Sequence, residues 1–423
     1  LATSGRDGAM STIARQLAKL LIAAVLLAGD GLGVSAQERY DPGASDTDIK
    51  IGNIMPYSGP ASAYGIIGKA MSAYFRMINE DGGINGRKIN FISYDDAYSP
   101  PKAIDEARRL VESDEVLAIF APFGTASNIA IQKYLNARHV PQLFAITGAS
   151  RFDDPANFRW TIGWQPSYRT EARIYAAYIL KHYPDARIGI LYQNDEFGRD
   201  YLVGLRDTLQ DKYDRMVVSS LSYDVSTPTI DSQIVAIKAA APEIFINIAT
   251  PKFAAQAIRK LAELDWHPVH IMTNVSVSVG AVLKPAGLDN ARELLSAGYQ
   301  MDVTDPQWDA HPGMQRFRAF MARYMPDVDR SESGPLIAFS MSTALTEVIR
   351  RCGDDLTREN IMRVATDFDF EIATYIPGVR IKTSPTDYRP IEQLQMMRFT
   401  GDRWQWFGPL LDGRGDGTTL SSD

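Results

Sequence analysis

The residues best suited to hold an anion cluster where an apolar run, Leu143–Ile146, stops at Thr147-Gly148-Ala149-Ser150. Gly148 opens backbone conformations closed to other residues, and its small neighbours leave the main chain approachable. Successive exposed N–H groups at such a strand end form a concave anion trap, to which the Thr147 and Ser150 hydroxyls add donors. The same letters also spell a plain strand-to-loop turn. Asp95-Asp96 is a second candidate. Adjacent carboxylates can bind a metal or move a proton, and they serve equally as solvated or capping groups at a strand end. His267 and His270 flank Pro268 and form no His-x-x-x-His pair, which leaves little basis for a metal site. Cys352 is the single cysteine, so no intramolecular disulfide or cysteine cluster can form, and it falls in a helical apolar pattern over Leu345–Cys352.

Enzyme signatures are missing around these residues. There is no G-x-x-x-x-G-K-[ST] phosphate loop and no G-x-S-x-G nucleophile elbow. Gly29, Gly31 and Gly33 have dinucleotide-like spacing but follow no strand. Asn274-Val275-Ser276 spells a glycosylation acceptor, and Arg414-Gly415-Asp416 an adhesion tripeptide in a polar tail. No set of residues assembles nucleophile, base and orienter. The expectation is no catalytic residue, no metal and no cofactor.

Composition narrows the class further. The 423 residues are 45% hydrophobic and 22% charged, as in an ordinary globular protein of two domains. A net charge of −7 and the lack of basic runs with interleaved aromatics exclude a nucleic-acid footprint. Residues 1–36 read as an export segment, with Met10 a plausible start. Arg15 and Lys19 precede the apolar run Leu20–Ala28, and Val34-Ser35-Ala36 offers a cleavage site before Gln37. That run is about half the roughly 20 residues a membrane-spanning helix requires. The expectation is cleavage after about Ala36 and a soluble, exported mature protein.

Two series of alternating elements must position the candidate residues. The first expects strands at Ile49–Met55, Lys88–Tyr94, Val116–Phe120 and the opening run, with helices at about Ser62–Asn79, Lys102–Ser113 and Ser127–Ala137. After a connecting strand at Phe158–Ile162, the second expects strands Arg187–Tyr192, Met216–Tyr223, Glu243–Ala249, Val269–Thr273 and Leu294–Tyr299. Its helices are Ser167–His182, Phe197–Asp211, Thr229–Ala240, Lys252–Leu264 and a short one near Ser276–Leu283. Helices Pro306–Tyr324 and Gly334–Arg351 follow, then a β-rich end at Val379–Lys382, Gln393–Phe399 and Arg403–Phe407. Such alternation predicts an α/β protein with two doubly wound parallel-sheet lobes. Its crevice lies beyond the carboxyl ends of the strands. Tyr57–Tyr64, Asp95–Tyr98, Pro122–Thr125 and Thr147–Arg151 should share one rim.

Several ordered motifs then carry a resemblance. Ile49-Lys50-Ile51-Gly52 leads into Ser58-Gly59-Pro60 and Tyr64-Gly65, followed by Asn79–Gly86 and Tyr94-Asp95-Asp96-Ala97. With Asp195-Glu196-Phe197-Gly198 and Trp404–Gly408, these stretches resemble the type I periplasmic binding proteins, and within them the branched-chain amino-acid binders of ABC importers. The resemblance runs from Asp48 to about Leu411. It implies two lobes joined by three crossover segments, one of residues 48–165 plus about 299–376, the other of 166–298 plus about 377–423. It also implies that the ligand carboxylate meets Phe123-Gly124-Thr125-Ala126 and Gly148-Ala149-Ser150, with further contacts near Phe197, Thr250 and Asn274-Val275.

The departures from that pattern shape the ligand expectation. Amino-acid binders of the family carry an acid after the strand ending here at Thr273, whereas this loop reads Asn274-Val275-Ser276-Val277-Ser278. An ammonium closed into a dry cleft without its counter-charge costs several kcal/mol. Where some relatives have a disulfide, this chain has Tyr98 and Phe123, which with Tyr64, and Trp164 or Tyr168, would line an aromatic cleft. The expected ligand is a small organic acid without an α-ammonium, plausibly an aromatic carboxylate. Thr125, Ala149 and Ser150 would hold its acid end, and Arg151 is a candidate extra cation. The expected partners are this ligand and the permease subunits of an importer, with the carrier a monomer. A branched-chain amino-acid binder, a ligand-sensing receptor subunit and an enzyme on the same topology are the alternatives.

Overall fold

The computed structural model describes residues 39–413. The expected export segment, residues 1–36, and the Arg414-Gly415-Asp416 tripeptide lie outside them. Strands and helices alternate from the start: β1 (Asp48–Met55), α1 (Gly65–Glu80), β2 (Lys88–Asp95), α2 (Pro100–Arg108), β3 (Ala118–Phe120), α3 (Thr125–Ala137), β4 (Gln142–Ala145) and β5 (Thr161–Gly163). These strands form one five-stranded parallel sheet in the order β2-β1-β3-β4-β5. Strands β3 and β4 are buried throughout, so they read as continuous apolar runs rather than alternating ones.

The second sheet is built by α4 (Tyr168–His182), β6 (Ile188–Gln193), α5 (Glu196–Leu209), β7 (Val217–Tyr223), α6 (Asp231–Ala239), β8 (Ile244–Ile248), α7 (Pro251–Glu263), β9 (Val269–Met272) and β10 (Leu295–Gly298). The chain then leaves for α8 (Pro312–Tyr324), α9 (Gly334–Cys352) and α10 (Arg358–Ala365), and returns with β11 (Gln393–Phe399) and β12 (Trp404–Asp412). The seven strands are ordered β12-β11-β10-β9-β8-β6-β7. Helix α9 packs on α1 of the first lobe, with the Tyr74 and Phe339 rings 5.3 Å apart and Tyr74 Oη 3.2 Å from Thr343 Oγ1. The chain thus crosses between lobes three times: after β5, after β10 and before β11. This is the two-lobed α/β architecture the alternation predicts.

Three details differ from the sequence reading. The second sheet is mixed, because β11 runs antiparallel to β10 and β12 antiparallel to β11. The single helix expected over Pro306–Tyr324 is broken into a 3-10 turn, Pro306–Trp308, and α8. Pro312 has no N–H to continue the ladder and would clash with the carbonyl four residues back, so it starts a new helix. His311 caps it, its Nδ1 accepting from Gly313 N at 3.3 Å. Helix α10 was absent from the sequence reading. It is a short element capped by Thr357, whose Oγ1 accepts from Asn360 N at 3.3 Å.

Both sheets reverse their winding beside their first strand. Strands β2 and β3 lie on opposite sides of β1, and β7 and β8 on opposite sides of β6. Connections there depart to opposite faces, which opens a crevice at the carboxyl ends. The loops after β1 and β3, and those after β6 and β8, are the ones so placed.

Candidate functional site

Those four loops each contribute to one cavity between the lobes. Tyr64 comes from the loop after β1, and Phe123, Gly124 and Thr125 from the loop after β3. Phe197 follows β6, and Thr250 follows β8. Tyr98, after β2, and Asn274, after β9, complete the set of expected residues found there. Tyr168 lines it as well, whereas Trp164 is fully buried in the core, its ring 4.7 Å from that of Phe144.

Aromatic contacts order the inner part of this cavity. The Tyr64 and Phe123 ring centroids are 4.3 Å apart, Tyr98 and Phe123 6.4 Å, and Tyr168 and Phe197 4.9 Å. Tyr64 Oη donates to Val275 O at 2.9 Å, joining the two lobes across the cleft. Burial holds the Tyr64 and Tyr98 hydroxyls well above the usual tyrosine range and pushes Tyr168 up to about 12. All three are neutral donors and acceptors at any physiological pH.

A hydroxyl–amide network backs the second-lobe side. Gln193 Nε2 donates to Asp195 Oδ2 at 2.7 Å and lies 3.4 Å from Tyr98 Oη. Its Oε1 accepts from Tyr223 Oη at 3.1 Å and Thr250 Oγ1 at 3.3 Å, while Thr250 N donates to Tyr223 Oη at 3.0 Å. On the first-lobe side Thr125 Oγ1 is 2.8 Å from Thr147 Oγ1. Helix α3 begins at Thr125, and the N–H groups of its first turn have no acceptor within the helix. Gly124 takes φ +93°, and a Cβ there would lie 2.4 Å from the Tyr98 ring. The glycine is needed both for its backbone and for the aromatic face beside it.

The Asp95-Asp96 pair organises this rim rather than reacting in it. Asp95 Oδ1 accepts from the N–H groups of Tyr57, Ser58 and Ala97 at 2.9, 3.1 and 2.9 Å. Asp96 accepts from Tyr98 N at 2.9 Å and Ser127 Oγ at 2.6 Å. These bonds hold Ala97 and Tyr98 at φ +50° and +58°, a left-handed conformation that non-glycine residues adopt at a cost of about 1–3 kcal/mol each. The histidines are likewise used locally: His267 pairs with Asp265 at 2.8 Å, and His270 Nε2 sits 3.2 Å from Asn247 Nδ2. Burial drives the His270 pKa down to about 3, so that ring is neutral. No group of three or more metal-ligating side chains occurs among the described residues.

The opening motif is placed elsewhere. Ala149 and Ser150 line a separate surface depression shared with Arg169, Arg173 and Arg389, not the interlobe cavity. Asp200 of α5 already occupies Ser150: its Oδ2 accepts from Ser150 N at 2.7 Å and its Oδ1 from Ser150 Oγ at 3.1 Å. Arg169 Nε reaches the same Oδ1 at 3.0 Å, and Arg151 pairs with Glu196 at 3.2 Å. The small size of Gly148 is used by the protein itself, since a Cβ there would lie 2.3 Å from Pro166 O and 2.8 Å from the Tyr168 ring. The physical reason is topological. Strand β4 stands one strand away from the β1/β3 reversal: Ile146, just after it, still lines the interlobe cavity, but the chain then turns away and carries Ala149 and Ser150 to the depression beside it.

Several lining residues escaped the sequence reading. Tyr299, Met301, Asp302, Glu332, Trp404 and Trp406 arrive from segments far apart in the chain. One signal was present: Trp404 and Trp406 alternate along a strand and so share a face. The loop after β9 carries no acid of its own, yet a buried one backs it. Glu171 Oε1 accepts from Asn274 N at 2.8 Å and Tyr175 Oη at 2.6 Å. Burial raises its pKa to about 7. Glu171 does not line the cavity, whose described lining contains Asp302 and Glu332 but no lysine or arginine.

The sequence model of a family described as periplasmic binding protein matches residues 48–403. A Leu/Ile/Val-binding protein homologue of Brucella suis is 24% identical over 298 residues, covering 66% of this chain and 72% of the relative. Among solved structures, a branched-chain amino acid ABC transporter protein from Thermus thermophilus with bound valine superposes with a TM-score of 0.77 at 16% identity. It covers 88% of this chain and 97% of that one. A fatty acid ABC transporter substrate-binding protein from Thermomonospora curvata gives a TM-score of 0.74 at 16% identity, covering 91% and 97%. At these identities the structural likeness concerns the fold.

Proposed function

Because the chain belongs to the periplasmic binding protein family, we propose that it is the exported solute-binding component of an ABC importer, taking a small aromatic carboxylate between its lobes. It would act as a monomeric carrier that presents its closed form to the permease subunits, with no catalytic step. The observation that carries the reading is the start of α3 opening into the aromatic wall of the cavity. A helix N-terminus offers free N–H groups and a partial positive charge to an anion. Thr125 adds a hydroxyl, and no lysine or arginine among the described lining residues competes for the role. Tyr64, Phe123, Tyr168 and Phe197 would flank the ring. A micromolar affinity requires only about 8 kcal/mol net.

Ala149 and Ser150 drop out of the carboxylate contacts, because Ser150 donates to Asp200. An α-amino acid is the second reading, favoured by the valine bound in the Thermus protein. Its ammonium would lack the acid that the family resemblance places on the loop after β9, which reads Asn274–Ser278 here, and Glu171, whose Oε1 accepts from Asn274 and Tyr175, does not line the cavity. Calorimetric titration with benzoate, 3-phenylpropionate, leucine and valine tests the choice. The expected result is binding of the aromatic acids at least about tenfold tighter than of the amino acids, a 1.4 kcal/mol difference. Tight leucine or valine binding without a response to aromatic acids would establish the second reading instead.

A further inference from the structure

Glu171 is fully buried on α4, directly behind the cavity wall. Little around it can hold a negative charge. Tyr175 faces it from its own helix, Tyr201 from α5 and Tyr299 from the segment after β10, while the chain around β9 and β10 adds Thr273 and Ser296. Tyr168, one turn earlier on α4, stacks on Tyr201. The arginines of α4 are committed elsewhere, Arg169 to Asp200 at 3.0 Å and Arg173 to Asp207 at 2.6 Å. The groups that act most on Glu171 include no lysine, arginine or histidine.

The hydroxyl bonds of this cluster are one proton short. Tyr175 Oη lies 2.6 Å from Glu171 Oε1 and 2.9 Å from Met272 O, and it accepts from Ala297 N at 3.2 Å. A tyrosine has a single proton for those two acceptors. Glu171 Oε2 is buried without a hydrogen-bond partner, although Tyr201 Oη and Thr273 Oγ1 stand beside the carboxyl, 2.6 Å from one another. A proton on Oε1 would donate to Tyr175 and free the tyrosine's own proton for Met272 O. A proton on Oε2 would reach the Tyr201–Thr273 pair. An ionised Glu171 leaves a buried contact unmade that a carboxylic acid completes.

The same carboxyl is one residue removed from the ligand space. Its Oε1 accepts from Asn274 N at 2.8 Å, and Asn274, Tyr168 and Tyr299 all line the cavity. Val275, next along, accepts from Tyr64 Oη of the other lobe, so the loop tied to Glu171 is also one that joins the lobes. The described lining carries Asp302 and Glu332 but no lysine or arginine, so no cation there screens Glu171 from an anion.

We propose that Glu171 is a proton-binding site coupled to the ligand site, taking up a proton from solvent when the lobes close on an organic anion. This rests on the reading of the ligand as a carboxylate. A negative charge in the cavity disfavours a second one behind Asn274, since charges in a dry interior repel strongly. By linkage, anion and proton each tighten the binding of the other. With a pKa of about 7 in the free protein and a higher one in the complex, carboxylate affinity is greatest below pH 7 and declines as pH rises above it. An α-amino acid would do the reverse: its ammonium favours ionised Glu171 and releases the proton.

Calorimetry with benzoate and 3-phenylpropionate at pH 7.5, in phosphate and in Tris, counts the protons taken up, because these buffers differ in ionisation enthalpy. The expected uptake is about half a proton, with affinity about five- to tenfold weaker at pH 9 than at pH 6, as for a pKa raised by about one unit. Glu171→Gln keeps an oxygen for Asn274 N and Tyr175 Oη but cannot ionise. It should take up no proton and bind the acids equally at both pH values. Acid binding without proton uptake, or with uptake unchanged in Glu171→Gln, would overturn the coupling and leave the carboxylate reading standing. A flat wild-type affinity from pH 6 to 9 refutes the coupling without any variant. If neither acid binds, both fall, and proton release on leucine binding would then identify an amino acid as the ligand.

Discussion

Asp200→Ala separates a latch between lobes from a ligand contact at Ser150. In the structure the Asp200 carboxylate is almost fully buried and accepts two hydrogen bonds from Ser150 and one from Arg169. Bonds to a charged group contribute about 1.5–3 kcal/mol each. Arg169 is 41% exposed, so its share is strongly screened. Ser150 is half-buried, and water can replace part of what its hydroxyl loses. A net loss of about 2 kcal/mol from the two Ser150 bonds is a reasonable magnitude. Ser150 lies between β4 and β5 of one lobe and Asp200 on α5 of the other, so the loss of these two bonds falls on closure, while the loss of the screened Arg169 bond falls within the second lobe. About 2 kcal/mol shifts an open–closed equilibrium roughly 30-fold, and any ligand that requires closure loses affinity by a similar factor. Small-angle scattering should show a larger radius for Asp200→Ala without ligand. Calorimetry should show the same fractional loss for carboxylates and for their neutral amides. Ser150→Ala should reproduce a smaller version of both effects. The reasoning is refuted if Ser150→Ala weakens carboxylates selectively while scattering stays unchanged, because Ser150 would then touch the ligand acid directly.

Two further outcomes follow from the same geometry. Glu171 has a folded pKa near 7 against about 4.5 unfolded, so the folded state binds more protons between those values and stability falls as pH rises through that window. The full cost, on the order of 3 kcal/mol, is present above pH 7 and absent below pH 4.5. Chemical denaturation at pH 4.5 and 7.5 should show this difference in the wild type and its loss in Glu171→Gln; an identical slope in both would assign the effect elsewhere. Gly124→Ala places a Cβ 2.4 Å from the Tyr98 ring at φ +93°, so it should abolish aromatic-acid binding and lower the unfolding midpoint by several degrees. Retained affinity in that variant would contradict a packed Gly124–Tyr98 wall.

Much of the fold was legible because its signals are local. Pro at a helix start, Gly at helix ends and short apolar strands between 3.6-period segments all act within a few residues. Where a signal depended on what lay beside it, the reading slipped. Pro312 was read as continuing a helix that it breaks, and β11 and β12 gave no sign of joining the second sheet in antiparallel sense. The site divided along the same line. Tyr64, Phe123, Gly124, Thr125, Phe197 and Thr250 sit on loops whose place follows from strand order, and the structure brings them to one cavity.

The sequence alone carried the two-lobed α/β chain of the periplasmic binding type, with a rim of aromatic and hydroxyl residues and without a phosphate-loop or nucleophile-elbow motif. It also determined that residue 275 carries no acid. Only the tertiary structure decided which rim loops face the cleft. The letters Thr-Gly-Ala-Ser describe an anion cradle whether the anion is a ligand or the protein's own Asp200, and that choice depends on a helix fifty residues away. It likewise decided that Glu171 stands behind Asn274. Chemistry at a site is a property of which side chains meet, and for residues from distant segments that meeting is fixed by packing rather than by spacing.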